Sequence, residues 1–456
     1  MKTKYLLIIM SILTFSSCNQ DEFLDKDPYD AILTENLITD FASLKAAVNG
    51  AYEIFQDTYY YNSYFTILPD LMGDNVKRTS YVFPDIDKYE TLANNRSAQR
   101  IWDKISSQIA QTSITIALAE SFNFGADQEA ATKLIGQLYI ARSLAYFDMQ
   151  RLFAQPYNFT SDASHLGAPL ADEVQIGIEL ISPGRSTTSQ VYDKIVADIL
   201  KGIGTIGDDA SSAYYLNKNS AKALLARVYL YMENWEEANK LASEVIGSGY
   251  SLISNSGYIS SWAKNTTSES IFSLVNSSTD NSGYSSITYY YSRPRFKATN
   301  DIFNALDAGD VRKGLISANK ILKFSASTRD NNIPVIRLSE MYLIKAEALA
   351  EMNMEGAART AVNTIRLRAN PTATPYAQTG SALKDVIQEE RRKELMFEGH
   401  RVFDLTRTKR SFTKYSGSAG SAISITYPHN KTILPIPQVE IDRNDNISEA
   451  DQNAGY

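Results

Sequence analysis

Between residues 38 and 55, Phe41, Leu44, Val48, Tyr52 and Phe55 recur at steps of three and four. That spacing marks one apolar face of an α-helix. The same period predicts helices over 101–119 and 128–153, the second carrying Leu134, Leu138, Ala141, Leu144, Ala145 and Leu152 on or beside one face. These residues read as core.

A weak internal repeat follows. Setting Asn234-Trp235-Glu236-Glu237-Ala238 over Asn353-Met354-Glu355-Gly356-Ala357 pairs Leu224 with Leu343, Leu225 with Ile344 and Leu230 with Leu349. Each copy reads as helix, short turn, helix, with small Ala residues where two antiparallel helices approach, as tetratricopeptide repeats require. The copies lie too far apart for a continuous array, so insertions must separate the hairpins. Chance similarity between two amphipathic hairpins is the alternative.

The pattern breaks twice. Residues 57–97 mix polar groups with rings. The stretch 250–300 carries six charged residues, many Ser and Asn, and Tyr250, Tyr258, Trp262, Tyr284, Tyr289, Tyr290 and Tyr291. It reads as part of a loop-rich insertion (250–335), with strand expected at 270–275 and 287–291. After Arg410 the chain is Ser/Gly-rich, and Leu434-Pro435-Ile436-Pro437 forbids helix and favours an extended path over the body.

The amino terminus has a different logic. Met1 to Lys4 is basic, Tyr5 to Phe15 is a short apolar run, and Ser16-Ser17-Cys18 offers small residues for cleavage. The run is too short to span a bilayer. Residues 1–17 therefore read as a signal peptide and Cys18 as the lipidated first residue of the mature chain, with Phe15 standing where Leu is usual; a chance thiol at an ordinary cleavage site is the alternative. Residues 18–36 read as a tether, in which Asn19-Gln20-Asp21-Glu22 is similar to the short acidic export signal of Bacteroidetes surface lipoproteins, and 37–456 as the folded body.

Composition removes several function classes. With one Cys and three His, the mature body cannot build a Cys/His zinc cluster or an internal disulfide; an all-carboxylate calcium site stays open, and no cofactor is expected. The 45 basic against 52 acidic residues leave a net charge of −7 with no long basic run, which argues against nucleic acid. The 28 Tyr outnumber the 18 Phe and 3 Trp, and Tyr is the ring that tolerates water at its hydroxyl end, so some rings are expected at the surface.

The charged run Glu389-Glu390-Arg391-Arg392-Lys393-Glu394 places Glu389 and Lys393 at i, i+4, which predicts support of a helix face rather than a catalytic carboxylate pair. Gly399 suits a left-handed helix cap and His400 a structural polar role, and Trp102 and Trp235 read as core rings.

Several of these segments together carry a resemblance. Cys18 followed by Phe23-Leu24-Asp25-Lys26-Asp27-Pro28, Trp102 on a long helix, Ala141-Arg142-Ser143-Leu144-Ala145-Tyr146-Phe147, the run Glu389 to Leu395 leading into Phe397-Glu398-Gly399-His400-Arg401, and the ending from Leu434-Pro435-Ile436-Pro437 to Gly455-Tyr456 occur in this order. Over nearly the whole chain the sequence resembles the SusD/RagB-like outer-membrane lipoproteins of Bacteroidetes. The segment Asp442-Arg443-Asn444-Asp445-Asn446 departs slightly from the family's Asn-Pro-Asn pattern. The resemblance implies a mainly α fold of irregular tetratricopeptide-like helix pairs, an α-α superhelix, supporting a loop-rich, partly β ligand-binding region. It also implies glycan capture without catalysis, and a SusC-like TonB-dependent outer-membrane transporter as partner.

Sugars require hydrogen-bonding groups for their hydroxyls and flat rings for their C–H faces. On that ground the expected ligand-binding residues are Asp74, Asn75, Arg78, Tyr81 and Phe83 from the first interruption and Trp262, Tyr284, Tyr289, Tyr290 and Arg293 from the second. For Gly73-Asp74-Asn75 the competing reading is a turn. Two other functions compete: a surface glycosidase using paired carboxylates, and a helical scaffold that binds only protein or peptide.

Overall fold

The computed structural model describes residues 37–171, 182–207, 212–263, 267–293 and 295–456. Cys18, the leader and the tether lie outside them. The chain runs through α1 (Phe41–Phe55), α2 (Tyr64–Met72), strand β1 (Val76–Arg78), α3 (Arg96–Ser121), α4 (Gln128–Phe153), α5 (Thr188–Thr205) and the pair α6 (Lys218–Tyr231) and α7 (Trp235–Ile246). A loop-rich stretch holds β2 (Ser270–Leu274), the short α8 (Ile287–Ser292), β3 (Phe296–Ala298) and β4 (Ile333–Arg337). Helices resume as α9 (Leu338–Glu351), α10 (Glu355–Ala369), α11 (Gly380–Glu394) and α12 (Arg401–Arg407), followed by the hairpin β5 (Phe412–Ser416) and β6 (Ser421–Ile425).

Local chemistry sets the helix limits. At the start of α1, Asp40 Oδ1 accepts the Ser43 N–H at 2.7 Å while Ser43 Oγ accepts the Asp40 N–H at 3.0 Å, a reciprocal cap. Leu44, Ala47, Val48, Ala51, Tyr52 and Phe55 then form its buried face. Helix α3 begins five residues before Ile101, because the Asn95 side chain accepts the N–H groups of Ser97 and Ala98. Apolar period alone cannot register such a cap. Helix α4 covers the predicted span.

Neighbouring helices pack in succession, α1 on α3, α3 on α4, α4 on α5, α6 on α7, α7 on α9, and α9 on both α10 and α11. The result is the expected mainly α arrangement of helix pairs. The internal repeat is present one residue out of the register read from the sequence. Glu233 and Asn353 occupy the left-handed turn positions (φ 59° and 60°), and buried Ala238 matches buried Ala358. The sequence match was misled because Asn favours both roles it plays here, helix cap at Asn234 and left-handed turn at Asn353.

In the insertion, β2 pairs antiparallel with β4, as expected for 270–275. Residues 287–291 are helical, not extended. Ser286 Oγ accepts the Tyr289 N–H at 3.3 Å, and Ile287, Tyr290 and Tyr291 recur at i, i+3, i+4 on a buried side, which overrides the β preference of consecutive tyrosines. The carboxyl-terminal segment runs over α3 and α4: Leu434 N–H donates to Leu152 O, Asn453 Nδ2 to Phe153 O, and Trp102 Nε1 to Glu440 Oε2.

The charged run of α11 is interior rather than a solvated helix face. Lys393 pairs with Glu390 at 3.3 Å, not with Glu389, which reaches Arg392 instead. Arg312, Lys323, Arg337, Arg368 and Lys393 interlock with Glu269, Asp310, Glu390, Glu394 and Glu398, so that the buried charges balance. A second balanced group joins Arg227, Arg391 and Arg407 to Glu340, Glu347 and Asp404. Gly399 lies beyond the end of α11 rather than capping it; its φ is +81°, and a Cβ there would stand 3.0 Å from Thr66 Cα.

His400 is buried against that second group, and the expected structural role carries a pH dependence. Burial pushes its pKa down to about 3; Glu340 opposes, and Arg227 and Arg391 add to the depression. The folded state thus binds this proton less readily than the unfolded chain. The His400 contribution is fully present above an unfolded pKa of about 6.5 and is lost as the pH falls from there toward 3. At pH 5 the loss amounts to about 2 kcal/mol, taking 1.36 kcal/mol per pH unit below 6.5. Asp70 works in the opposite sense, since burial raises its pKa to about 6. Comparing the chain with His400→Gln isolates the histidine: unfolding by urea at pH 5 and pH 8 should show the smaller pH-dependent loss in the variant. Equal losses would remove His400 from the account.

Candidate functional site

The two polar, aromatic-rich interruptions of the helical scaffold meet in space. Strand β1 from the first pairs antiparallel with β3 from the second, setting Val76 opposite Ala298 and Arg78 opposite Phe296. Beyond the ladder, the Thr79 N–H donates to Arg295 O at 2.9 Å, and the Ile287 N–H donates to Asn62 O at 2.7 Å. Asn62 Nδ2 also reaches Ser282 Oγ at 2.8 Å. Residues more than 200 positions apart therefore share one edge.

Rings pack through that edge from the inside outward. Phe83 is buried, its backbone left-handed at φ 55°, with its ring edge-on to Tyr64 (4.6 Å between centroids) and stacked on Phe296 (5.9 Å). Tyr290 is also buried and packs on Phe296 at 6.0 Å. Outside them, Tyr289 is half-buried and Tyr284 is 66% exposed, the two rings meeting edge-on at 5.2 Å. Tyr81, on the loop tied to Arg295, is 81% exposed. A single exposed ring is ordinary, but contiguous exposed aromatic surface such as that of Tyr284 and Tyr289 marks a contact site.

Arginines surround these rings. Arg329 lies 4.2 Å from the Tyr284 centroid and 6.0 Å from that of Tyr289, Arg295 lies 5.2 Å from Tyr289 and 5.6 Å from Tyr290, and exposed Arg293 lies 5.9 Å from Tyr289. Across the same surface Arg100 covers Tyr59 at 4.7 Å, and Tyr59 packs edge-on against Tyr64. Of these, the sequence reading singled out Arg293 alone. Arg295 could have been added from the Ser292-Arg293-Pro294-Arg295 run; Arg329 and Arg100 carry no local signal, because only folding brings them to the rings.

Four expected ligand-binding residues are instead structural. Asp74 is buried, its carboxylate held by Arg401 Nε at 2.5 Å and Nη2 at 2.8 Å and by Arg392 at 3.3 Å; burial opposes its charge, but these cations keep its carboxyl below the usual range. Asn75 donates to Asp70 at 2.8 Å and accepts from Arg392 Nε at 2.9 Å, while Asp70 also accepts the Phe397 and Gly399 N–H groups. Gly73-Asp74-Asn75 thus clamps α2 to Arg392 of α11 and to Arg401 beyond it, and its groups are spent there. Arg78 pairs with buried Asp87 at 3.2 Å, beneath the β5–β6 hairpin whose Lys414 binds the same carboxylate. Phe83 is core, as described above.

Trp262 does not join the tyrosines. Its ring faces Lys323 at 4.3 Å and Arg337 at 5.7 Å, and buried Phe324 and Tyr291 stand between it and the tyrosine surface. It borders a separate cleft lined by Ile253, Ser270, Pro334 and Arg337. Of the ten expected residues, the structure brings Tyr284, Tyr289 and Arg293 together on one exposed surface with buried Tyr290 beneath, and leaves Tyr81 exposed on the loop whose Thr79 is bonded to Arg295.

Among the described residues no group of three His, Cys, Asp or Glu is placed to hold a metal ion, and no helix is long and apolar enough to cross a membrane. The buried carboxyls with raised pKa values also lie away from the tyrosine surface. Burial raises Asp70, which is enclosed by Asn75, Phe397 and Gly399, and Asp148, which is held by Tyr60 and Arg151.

Comparison with known proteins agrees with this architecture. The solved structure of a putative sugar binding protein from Bacteroides vulgatus superposes with a TM-score of 0.83 at 27% identity, covering 92% of this chain and 99% of that one. A SusD superfamily protein from Bacteroides thetaiotaomicron gives a TM-score of 0.82 at 27% identity, covering 91% and 100%. In sequence, SusD-like protein P2 of Formosa agariphila is 24% identical with 100% of both chains covered. The starch-binding protein SusD of B. thetaiotaomicron is 35% identical over 136 residues, 29% of this chain and 23% of that protein. A family model described as starch-binding associating with outer membrane matches residues 22–230, and the model of the SusD family matches residues 205–456. The chain belongs to the SusD family.

Proposed function

We propose that this protein captures a glycan on the Tyr81, Tyr284 and Tyr289 surface, with Arg293 among its hydrogen-bond donors, and passes it uncut to a SusC-like TonB-dependent transporter. The observation that carries the reading is the exposure of Tyr81 and Tyr284 (81% and 66%) on segments that are distant in sequence and joined by the β1–β3 ladder. Rings so placed offer flat apolar faces for sugar C–H groups, and arginine forks offer donors for oxygen. The likeness to a sugar binding protein and to a starch-binding protein supports the ligand class, and the outer-membrane description of the matching family model supports the location. Hydrolysis needs two carboxyls facing one bond. Asp70 and Asp148, buried carboxyls whose pKa values burial raises, are enclosed by their own partners rather than facing these rings, which favours binding alone.

The open shape suits a long polymer and weak binding, because little area is buried and stripped hydroxyls are only partly re-bonded. Affinity electrophoresis of the lipoprotein in polysaccharide-containing gels tests the reading. A bound glycan should be lost on Tyr284→Ala with Tyr289→Ala, each ring contributing on the order of 1–3 kcal/mol through its burial against the sugar. Unchanged retardation in the double variant would place the site elsewhere. Release of reducing ends above a protein-free control would end the non-catalytic reading.

A further inference from the structure

The arginines of this protein divide into two populations. Fourteen of the 21 lie within ion-pair distance of an Asp or Glu. Among the described residues Arg96, Arg100, Arg185, Arg293, Arg295, Arg329 and Arg443 have no such partner. Arg185 is occupied by backbone carbonyls of Gly167 and Asp451. Arg100, Arg293, Arg295 and Arg329 all lie over the rings of the tyrosine surface. In a chain of net charge −7, most of the unpaired guanidinium charge is thus collected at one place.

That arrangement concentrates positive charge. Arg293, Arg295 and Arg329 each lie within 6.0 Å of the Tyr289 centroid, so no two of these guanidinium centres are more than about 12 Å apart. Three guanidinium groups around one ring raise the positive potential there, and they repel one another wherever they come within the Debye length, about 8 Å in physiological salt. Among the described residues no carboxylate lies within ion-pair distance of Arg293, Arg295 or Arg329, and Asp57, which accepts the Tyr59 N–H, is paired with Lys104 at 2.9 Å. The tyrosine faces hold the cations by their quadrupoles but supply no net charge.

We infer that the ligand of this surface is an anionic glycan, whose carboxylate or sulfate groups are taken by Arg293, Arg295 and Arg329 while its ring faces stack on Tyr284 and Tyr289. The inference rests on the glycan-binding reading of the same surface and adds the charge of the ligand. Guanidinium forks match planar carboxylates in two-point contact and reach sulfate oxygens equally well, and they lose less hydration than ammonium groups on doing so. Arg100, beyond Tyr59 and Tyr64, extends the cationic track along a polymer. A neutral glycan would leave the three clustered charges uncompensated and partly desolvated.

The test uses the full lipoprotein in detergent, run at about 150 mM salt, where charges beyond about 8 Å are screened. Three gels carry polygalacturonate for carboxylate, dextran sulfate for sulfate, and soluble starch as the neutral control. Retardation by one or both charged polymers should exceed that by starch and should fall as salt is raised. Arg295→Gln combined with Arg329→Gln should weaken it roughly tenfold or more, as expected for loss of hydrogen bonds to a charged group. Arg295→Lys should restore part of the affinity, and a melting curve matching the parent shows that the variants fold. Starch bound as tightly as both charged polymers, or charged-polymer affinity unmoved by the double Gln variant, overturns the anionic assignment. In that case sensitivity to Tyr284→Ala with Tyr289→Ala would leave the glycan-binding reading standing. Retention by none of the three polymers would remove both.

Discussion

Replacing Glu394 with Ala should destabilise the fold by about 3–5 kcal/mol, the cost of breaking a buried ion pair from one side. Glu394 Oε1 accepts from Arg337 Nη1 at 2.7 Å and Arg368 Nη2 at 2.6 Å, and Oε2 accepts from Arg312 Nη1 at 3.1 Å. Burial opposes its charge, yet Arg368, Arg337 and Arg312 hold its carboxyl well below the usual range. The surrounding group has five cations and five carboxylates, so removing Glu394 leaves one positive charge uncompensated where water does not reach. Glu394→Gln keeps the shape and loses only the charge, which separates packing from electrostatics. An exposed pair gives the scale: Arg410 and Asp385 are 37% and 63% accessible, and Asp385→Ala should cost no more than about 1 kcal/mol. Urea unfolding at neutral pH measures all three. A loss below 1 kcal/mol for Glu394→Ala would mean that the network relaxes or admits water, and that α11 is held by packing alone.

The other large effect expected is on location. With Cys18→Ser the protein should move from the membrane fraction to the soluble fraction while its folded body is unchanged. Acyl chains at Cys18 would gain about 0.8 kcal/mol for each methylene buried in the bilayer, and two or more chains make such anchoring stable. Among the described residues no helix offers a second anchor. Fractionation should use cells lacking the transporter, so that a protein partner cannot retain the variant. A variant that still sediments with membranes there, and is released by detergent alone, would show an anchor other than the lipid.

The helical class, the limits of α4 and the two interruptions were legible in the residues, because each depends on local information: period or breakers. Family membership was legible for the same reason, since its marks are short segments in a fixed order. The helical run at Ile287–Ser292 was not, because a Ser cap and a buried i, i+3, i+4 face decided between two conformations that consecutive tyrosines allow. The repeat was visible but misregistered, since Asn suits both a cap and a left-handed turn.

For the candidate site, the chain by itself gave residue types suited to sugar and two segments that the structure brings together. It could not say which of those residues reach water. Asp74 and Asn75 have the chemistry of ligand donors, but their partners Arg392 and Arg401 lie more than 300 residues away and enclose them. The same long-range pairing reversed the meaning of the charged run at 389–401, which local spacing makes a solvated helix face and tertiary contact makes an ionic core. Arg329 meets Tyr284 and Tyr289, and Arg100 meets Tyr59, only after the scaffold has formed. Composition and period fix what each segment prefers for itself; which polar groups are spent on one another and which are left for a ligand depends on contacts between distant segments, and only the tertiary structure decides those.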